Sequence, residues 1–337
     1  MHIKFIKVKD KKMNVKSILF LSAVIAMAGC CSIQDKKCCC DCKDPVVGNW
    51  ALKLPYEAMN AGSMIIERDA EGKASGLVLW RWASPNPVKN LVIKGNEFSF
   101  DHPWKFRIEG KVCGDKLEAT VVNNDGTDAR KITGWRNPPI TEKVSTKDAK
   151  FGEKIDLLKD GLNGWKSMNP ESKFAWKFKD GVLSNNLGRK PNGEWNHGGA
   201  NLMTKRNDFY DFKLEYDVRV PKDSNSGVYL RGRYEIQTID SYGKPVDCHN
   251  MAAYYGRVTP SVAAEKPAGE WQHVSVVLYK RHLTVVLNGK TIIENAPVVG
   301  ITGGAMDANE FVPGPLYLQG DHSDADYKNM YLYPVVK

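Results

Sequence analysis

From residue 45 onward, apolar residues alternate with polar ones in short runs divided by turn signals, and that pattern restricts the chain to all-β architectures. The clearest run is Phe212–Val220. Its even positions Phe212, Leu214, Tyr216, Val218 and Val220 are apolar, and its odd positions are Lys, Glu, Asp and Arg. Side chains on a strand point alternately to opposite faces, so this segment is an antiparallel strand with one wet face. Asp180-Gly181 and Asn288-Gly289 are tight hairpin dipeptides, since both central positions of such turns need a positive φ.

Two β-regions follow from the order of these runs. Between about 45 and 140 the strand candidates are Ser63–Arg68, Ser75–Trp82, Val88–Lys94, Glu97–Phe100, Lys105–Val112, Lys116–Val122 and Ala129–Trp135. Turn signals part them at Ala70–Lys73, Lys94–Asn96, Cys113–Asp115 and Asn124-Asp125-Gly126. This spacing describes a small antiparallel barrel, and Gly48-Asn49-Trp50 resembles the opening strand of lipocalin-like barrels. Trp80, Trp82, Trp104 and Trp135 serve either as its core or as stacking surfaces for sugar rings; no chemistry is assigned to the barrel. It could orient the second region, cover its site or bind glycan. Asn137-Pro138-Pro139 and the polar residues 141–150 form a linker. Residues 151–337 carry about a dozen further strands, enough for a two-sheet jelly-roll sandwich.

The first 44 residues read as export and anchoring. From Met13 the chain has one lysine, an apolar run from Ile18 to Met27, small residues, and then Cys30. The run is too short to span a bilayer. Ala28-Gly29-Cys30 resembles the bacterial lipobox, which makes 1–29 a lipoprotein signal peptide, Cys30 the acylated residue, and 30–44 a cysteine-rich tether. The expected location is the cell envelope, with the membrane reached only through the lipid anchor. Residues 1–29 hold six lysines and one aspartate, a net +5 of the formal +9, so about +4 remains on the exported part. That is too little, spread over so long a chain, to argue for nucleic acid. Six of the eight cysteines fall between 30 and 42, without the paired spacings of a zinc site.

Functional side chains concentrate in Asn225–Asp240. Val228, Leu230, Tyr234 and Ile236 share one parity, while Tyr229, Arg231, Arg233, Glu235 and Gln237 share the other. Gly232 can break the run into two paired strands. A solvated face with Arg–Glu pairs is the plain alternative. Two guanidiniums, a carboxylate, a carboxamide and a phenol on one face are instead groups that grip hydroxyls and carbonyls. The stretch Ser241–Pro267, with His249, Tyr254 and Tyr255, is a long loop whose aromatics favour order at a site.

Six ordered blocks resemble the 3-keto-disaccharide hydrolase family, also called the 3-keto-glucoside 1,2-lyase/3-keto-2-hydroxy-glucal hydratase domain. They are Phe209–Tyr216, Asn225–Arg231, Tyr234–Ser241, Gly269–Trp271, Leu283–Gly289 and Gly314–Gln319, preceded by Phe151–Trp165, which looks like the domain's usual opening. The resemblance implies a concanavalin-like jelly roll acting on glycosides whose C3 hydroxyl a partner dehydrogenase has oxidised to a ketone. That ketone acidifies the C2 hydrogen, so a base can remove it and the C1 substituent can leave; water then adds across the glycal. Such a site needs a base at C2, donors on the C3 oxygen and an acid at the leaving oxygen. On this reading Glu235 is the base or a metal ligand, and His322 the acid or a second base. Asp240 is a further catalytic candidate. Arg231, Arg233, Gln237, Tyr229, Gln319, His197 and Tyr254 would bind substrate. A divalent ion, if one is used, would sit on Glu235, Asp240 and His249. The alternative is a non-catalytic carbohydrate-binding sandwich. A two-carboxylate endo-glycanase fits poorly, because Glu235 and Asp240 have opposite parity.

Overall fold

A computed structural model describes residues 44–123 and 129–336. The signal peptide, Cys30, the tether up to residue 43 and the Asn124-Asp125-Gly126 turn lie outside the described residues. Among the described residues, no helix is long and apolar enough to cross a membrane.

The first region is a nine-stranded antiparallel sheet. Its strands are β1 (Gly48–Lys53), β2 (Ala61–Arg68), β3 (Ala74–Trp80), β4 (Asn86–Pro87), β5 (Lys89–Lys94), β6 (Glu97–His102), β7 (Phe106–Cys113), β8 (Lys116–Asn123) and β9 (Arg130–Asn137). The order β4-β3-β2-β1-β9-β8-β7-β6-β5 is a meander joined where β1 meets β9, with Asn49 opposite Asn137 and Lys53 opposite Thr133. The backbone N–H of Val88 donates to Gly76 across the remaining gap, so the sheet is nearly a closed barrel. Its interior is packed rather than hollow. Trp50, Met64, Val78 and Phe100 are almost fully buried there, Trp80 stacks obliquely on Phe106 at 4.8 Å, and the Trp50 indole donates to Val46 O at 2.9 Å.

The second region is a sandwich of two sheets. Its strands begin with β10 (Lys150–Phe151), β11 (Ile155–Asp156), β12 (Trp165–Ser167), β13 (Trp176–Lys179), β14 (Val182–Asn185), β15 (Leu202–Thr204) and β16 (Phe212–Arg219). They continue with β17 (Asn225–Leu230), β18 (Tyr234–Ile239), β19 (Gln272–Tyr279), β20 (His282–Leu287), β21 (Lys290–Pro297), β22 (Tyr317–Leu318) and β23 (Ala325–Val336). The larger sheet runs β13-β14-β23-β16-β19-β20-β21, with β10 and β11 also paired to β23. The smaller runs β12-β15-β22-β17-β18. The expected alternation governs both. Leu214, Tyr216 and Val218 of β16 and Val274 and Val276 of β19 face Val228, Leu230 and Ile236 of the smaller sheet in one buried core. Each such side chain contributes about 1.5–3 kcal/mol relative to exposure. Asn288 and Gly289 have φ of +50° and +81°, the turn their dipeptide predicts.

Barrel and sandwich press together. Ala51, Ala61 and Leu79, on the outer face of β1–β3, are buried in the same cluster as the sandwich core. Arg257 donates to Ser63 Oγ at 2.9 Å, and Asn137 Nδ2 to the buried Glu310 Oε1 at 2.7 Å. The linker is also docked. Ser145 caps a short 3-10 turn at Thr146–Asp148, whose Thr146 N–H donates to Asn295 Oδ1 at 2.9 Å.

Glu310 is pushed up from the ordinary carboxyl range by burial, and it depends on its few partners. Asn137→Ala removes one of them from a desolvated oxygen, so stability should fall by about 1–3 kcal/mol. Chemical denaturation of the full-length chain measures this; an unchanged midpoint would mean that Asn137 carries no part of the contact.

Candidate active site

The inner face of the smaller sheet supplies the core, so its outer face is left for chemistry. Strands β17 and β18 form a hairpin in which Tyr229 lies opposite Glu235 and Gly227 opposite Gln237. Strand β22 adds Tyr317 beside Tyr229. The two phenol rings stack at 3.8 Å, nearly parallel. The Tyr317 hydroxyl donates to Gly304 O at 2.6 Å, and Gly303 O lies 2.8 Å from Tyr229 Oη, which brings the 300–310 loop over the sheet.

Glu235 stands at the centre of this face and is only 3% exposed. Its Oε2 lies 2.8 Å from Tyr229 Oη, and its backbone N–H donates to Thr302 Oγ1. A Cβ on Gly227 would collide with Glu235 Oε1, which explains a glycine inside a strand. The far edge of β18 is covered by the long loop: Tyr255 N–H donates to Glu235 O, and Gln237 exchanges backbone bonds with Ala252 and Ala253. Burial pushes the Glu235 carboxyl up to about 8, against the lowering effect of the Tyr229 hydrogen bond.

Glu235 opens onto a cleft of about 250 Å³. Gln237, Tyr317, Gln319, Asn201 and Asn225 line it from the smaller sheet and its margins, and Asp321 and His322 line it from the turn after β22. His322 Nδ1 is 2.7 Å from Asp321 Oδ1, and that hydrogen bond raises the imidazole pKa above its ordinary 6.5. Asn201 accepts from Gly320 N–H at 2.7 Å, which ties its strand to the turn carrying the pair. Gln319 Oε1 and Asn225 Oδ1 are buried and accept no hydrogen bond within the protein. Carboxamide oxygens of this kind can accept hydrogen bonds from hydroxyls.

The structure brings together some of the expected site residues and separates others. Glu235, Gln237, Gln319 and His322 line the cleft, and Tyr229 stands directly behind Glu235. His197 packs edge-on against His322 with ring centroids 6.2 Å apart. Arg231 and Arg233 are corrections. The hairpin turns at Arg231 and Gly232, both with positive φ, so strand parity does not place these guanidiniums beside Glu235. Arg231 donates to Tyr234 Oη and Glu310 O, and Arg233 holds Asp307 through Nε and Nη2. Tyr254 is a core residue whose hydroxyl donates to Gly300 O. Asp240 lies past the end of β18, where it accepts from Asp223 N–H. His249 contacts Ser84 Oγ of the barrel at 2.7 Å. Among the described residues no three His, Cys, Asp or Glu side chains converge as metal ligands, so Glu235, Asp240 and His249 are not one site.

Sequence reasoning missed Asn201, Tyr317, Gly303 and Gly304 as site residues, and it left Asn225, Tyr255 and Asp321 without a role. The barrel residues Met59, Trp82 and Ala83 also line the cleft. Asn225 shares the odd parity of Tyr229 and Glu235, and Asp321 adjoins His322, so those two carried a signal in the chain. The others share no local period with Glu235, and no pattern in the chain could collect them.

The family model described as the 3-keto-alpha-glucoside-1,2-lyase-like domain matches residues 154–333, more than half of the chain. No curated protein matches. Among solved structures the chain is similar to a candidate glycosyl hydrolase from Parabacteroides distasonis ATCC 8503, at 23% identity over 54% of this chain and 83% of that one, with a TM-score of 0.42. A second candidate glycosyl hydrolase from that organism is similar at 18% identity over 54% and 94%, with a TM-score of 0.43. The carbohydrate binding module CBM66 from Bacillus subtilis is similar at 12% identity over 50% and 93%, with a TM-score of 0.32.

The geometry around Glu235 fixes a pH dependence. Its folded pKa of about 8 lies above the ordinary 4.5, so the folded chain holds a proton that the unfolded chain releases. This contribution to stability is fully present below about pH 4.5 and is lost as pH rises through about 8. Glu235→Gln should flatten stability across that window. Tyr229→Phe removes the bond that lowers the pKa and should move it above 8. Carbon-13 NMR of labelled glutamate carboxyls reads both; a downward move in Tyr229→Phe would contradict the assignment.

Proposed function

The chain belongs to the 3-keto-alpha-glucoside-1,2-lyase-like family, a carbohydrate-active one, and from that premise we propose that its cleft cleaves glycosides already oxidised at C3. The observation that carries the reading is a buried carboxyl held at about 8, opening on the same cleft as the Asp321–His322 pair.

The steps follow from the chemistry of a 3-keto sugar. Glu235 as carboxylate takes the C2 proton, and the electron pair left on C2 is delocalised into the C3 ketone. That pair then forms the C1–C2 double bond as the C1–O bond breaks. His322 as imidazolium gives its proton to the leaving oxygen, and Asp321 holds the ring in place through Nδ1. Addition of water to the resulting glycal, with hydroxyl to C1 and a proton returned to C2, completes hydrolysis. Glu235, whose carboxyl proton exchanges with solvent before the water adds, is the source of that proton, and the now neutral His322 takes the proton that the water loses. The carboxamides of Asn201, Asn225, Gln237 and Gln319 suit the ring hydroxyls and the C3 oxygen. A carboxylate with a pKa near 8 is a stronger base than an ordinary glutamate, although roughly a tenth of it is ionised at pH 7.

A dehydrogenase that oxidises C3 must supply the substrate, since the cleft's proton-transfer groups perform no oxidation. Acylation of Cys30 would hold the enzyme at the cell envelope, where such substrates would reach it.

The test is incubation of the chain with a 3-keto-glucoside and its unoxidised parent in D2O. Release of the C1 substituent from the keto substrate alone, with deuterium at C2 of the product, is expected. The pH–rate profile should be bell-shaped, because the reaction needs Glu235 ionised and His322 protonated. Glu235→Gln should lower kcat by about 10²- to 10⁴-fold. Binding of the sugar without cleavage would instead make the protein a carbohydrate-binding module.

A further inference from the structure

The sandwich lines the cleft with four carboxamides, Glu235 and the Asp321–His322 pair, and the barrel adds Met59, Trp82 and Ala83. The two contributions differ in kind. The sandwich side is mostly polar, with the rings of Tyr255 and Tyr317 also lining it, whereas the barrel side is apolar.

The two barrel loops, after β1 and after β3, are built to stay where they are. Met59, Arg81 and Ala83 have φ of +48°, +63° and +61°, a left-handed conformation that few residues with side chains adopt. Such strain persists where the surroundings over-determine it, and it gathers at ligand clamps. Here Gly304 N–H donates to Arg81 O at 2.8 Å, and Ser84 Oγ meets His249 Nε2 at 2.7 Å. The Arg81 guanidinium lies over the Tyr56 ring at 4.4 Å and the Trp82 ring at 4.7 Å. The sandwich is cut away to receive the loop after β3. A Cβ on Gly303 would collide with the Ala83 backbone, and one on Gly256 with the Ser84 side chain. Trp82 itself is 41% exposed. A large indole fixed at the mouth of a cleft, and not buried in a core, is available to a ligand.

A glycoside in this cleft presents two unlike parts. The oxidised ring needs hydrogen bonds to its hydroxyls and ketone, which the sandwich side offers. The C1 substituent departs in the reaction and must leave by the mouth. We propose that Trp82, supported by Met59, is the leaving-group subsite, and that it selects substrates whose C1 substituent carries a ring, either a second sugar or an aromatic group. An indole face complements the axial C–H surface of a pyranose and the face of an arene, while a small alkyl group covers little of it. This inference rests on the proposed cleavage of 3-keto-glycosides. It makes the barrel the part of the molecule that sets specificity.

The experiment compares the full-length chain with Trp82→Ala, Trp82→Phe and Met59→Ala on an aryl 3-keto-glucoside, a 3-keto-disaccharide and methyl 3-keto-glucoside. The readout is kcat/KM for each ring-bearing substrate divided by that for the methyl substrate. Trp82→Ala should lower this ratio about tenfold, the order of a lost aromatic contact, with the change in KM and not kcat. Trp82→Phe should retain most of the ratio, and Met59→Ala should lower it less than Trp82→Ala. A ratio unmoved by Trp82→Ala, or equal losses on all three substrates, would overturn the subsite. Calorimetric binding of the unoxidised aryl and methyl glucosides separates this result from the chemistry. If no keto substrate is cleaved but a preference for the aryl ligand disappears in Trp82→Ala, the lyase reading fails and the subsite stands. If cleavage proceeds and neither ratio nor binding preference depends on Trp82, the subsite fails and the lyase reading stands.

Discussion

A carboxyl group buried without a cation beside it is the constraint around which the smaller sheet is arranged. Glu235 has a phenol for its main partner, and that hydrogen bond offsets only part of the desolvation that raises its pKa. The sequence places two arginines within four residues of it, at 231 and 233. Had either guanidinium reached the carboxylate, charge pairing would have driven the pKa down and left an inert ion pair. The tight turn at Arg231-Gly232 prevents this. It directs Arg233 to Asp307, and Arg231 to Tyr234 and the Glu310 carbonyl, so the charges of one short hairpin are sorted to separate places. Gly227 then leaves the space into which the carboxyl fits, and the Tyr229–Tyr317 stack fixes the hydroxyl that holds it.

Much of this was legible from alternation alone. Period two identified the strand at Phe212–Arg219 and the apolar parity of Val228, Leu230, Tyr234 and Ile236, because burial on one face imposes the pattern directly. Tyr229, Glu235 and Gln237 were also assigned to one face. They share it because the register sets Tyr229 opposite Glu235, although the chain between them reverses. The same reasoning misplaced Arg231 and Arg233, since residues inside a turn belong to neither face. Tyr254 was read as a loop aromatic at a site, yet its loop lies along β18 and the ring fills a gap against Tyr234. Asn201 and Trp82 lie far from Glu235 in sequence, and only tertiary packing brings them to it.

The barrel illustrates the limit of reading a fold without its contacts. Its interior is filled by buried side chains, Trp50 and Phe100 among them. Its contribution to the cleft comes from the outside, through Met59 and the loop after β3. A nearly closed sheet is a stiff body, and the buried Asn137–Glu310 and Arg257–Ser63 contacts hold it against the sandwich. Together these let a loop with strained backbone keep one position.

That stiffness bears on how the cleft spends binding energy. Gln319 Oε1 and Asn225 Oδ1 lack partners inside the protein, and each unsatisfied buried acceptor costs about 1–3 kcal/mol. Glu235 bears a desolvation cost whenever it ionises. These costs are set when the chain folds, before any sugar arrives, so they fall on stability and not on the reaction. A ligand hydroxyl that reaches either amide recovers part of that cost at once. In the proposed elimination, a preorganised polar floor would need no rearrangement as negative charge develops on the C3 oxygen. On that account the folded chain is less stable than an apolar version of the same sheet would be, and the deficit sits in residues that line the cleft.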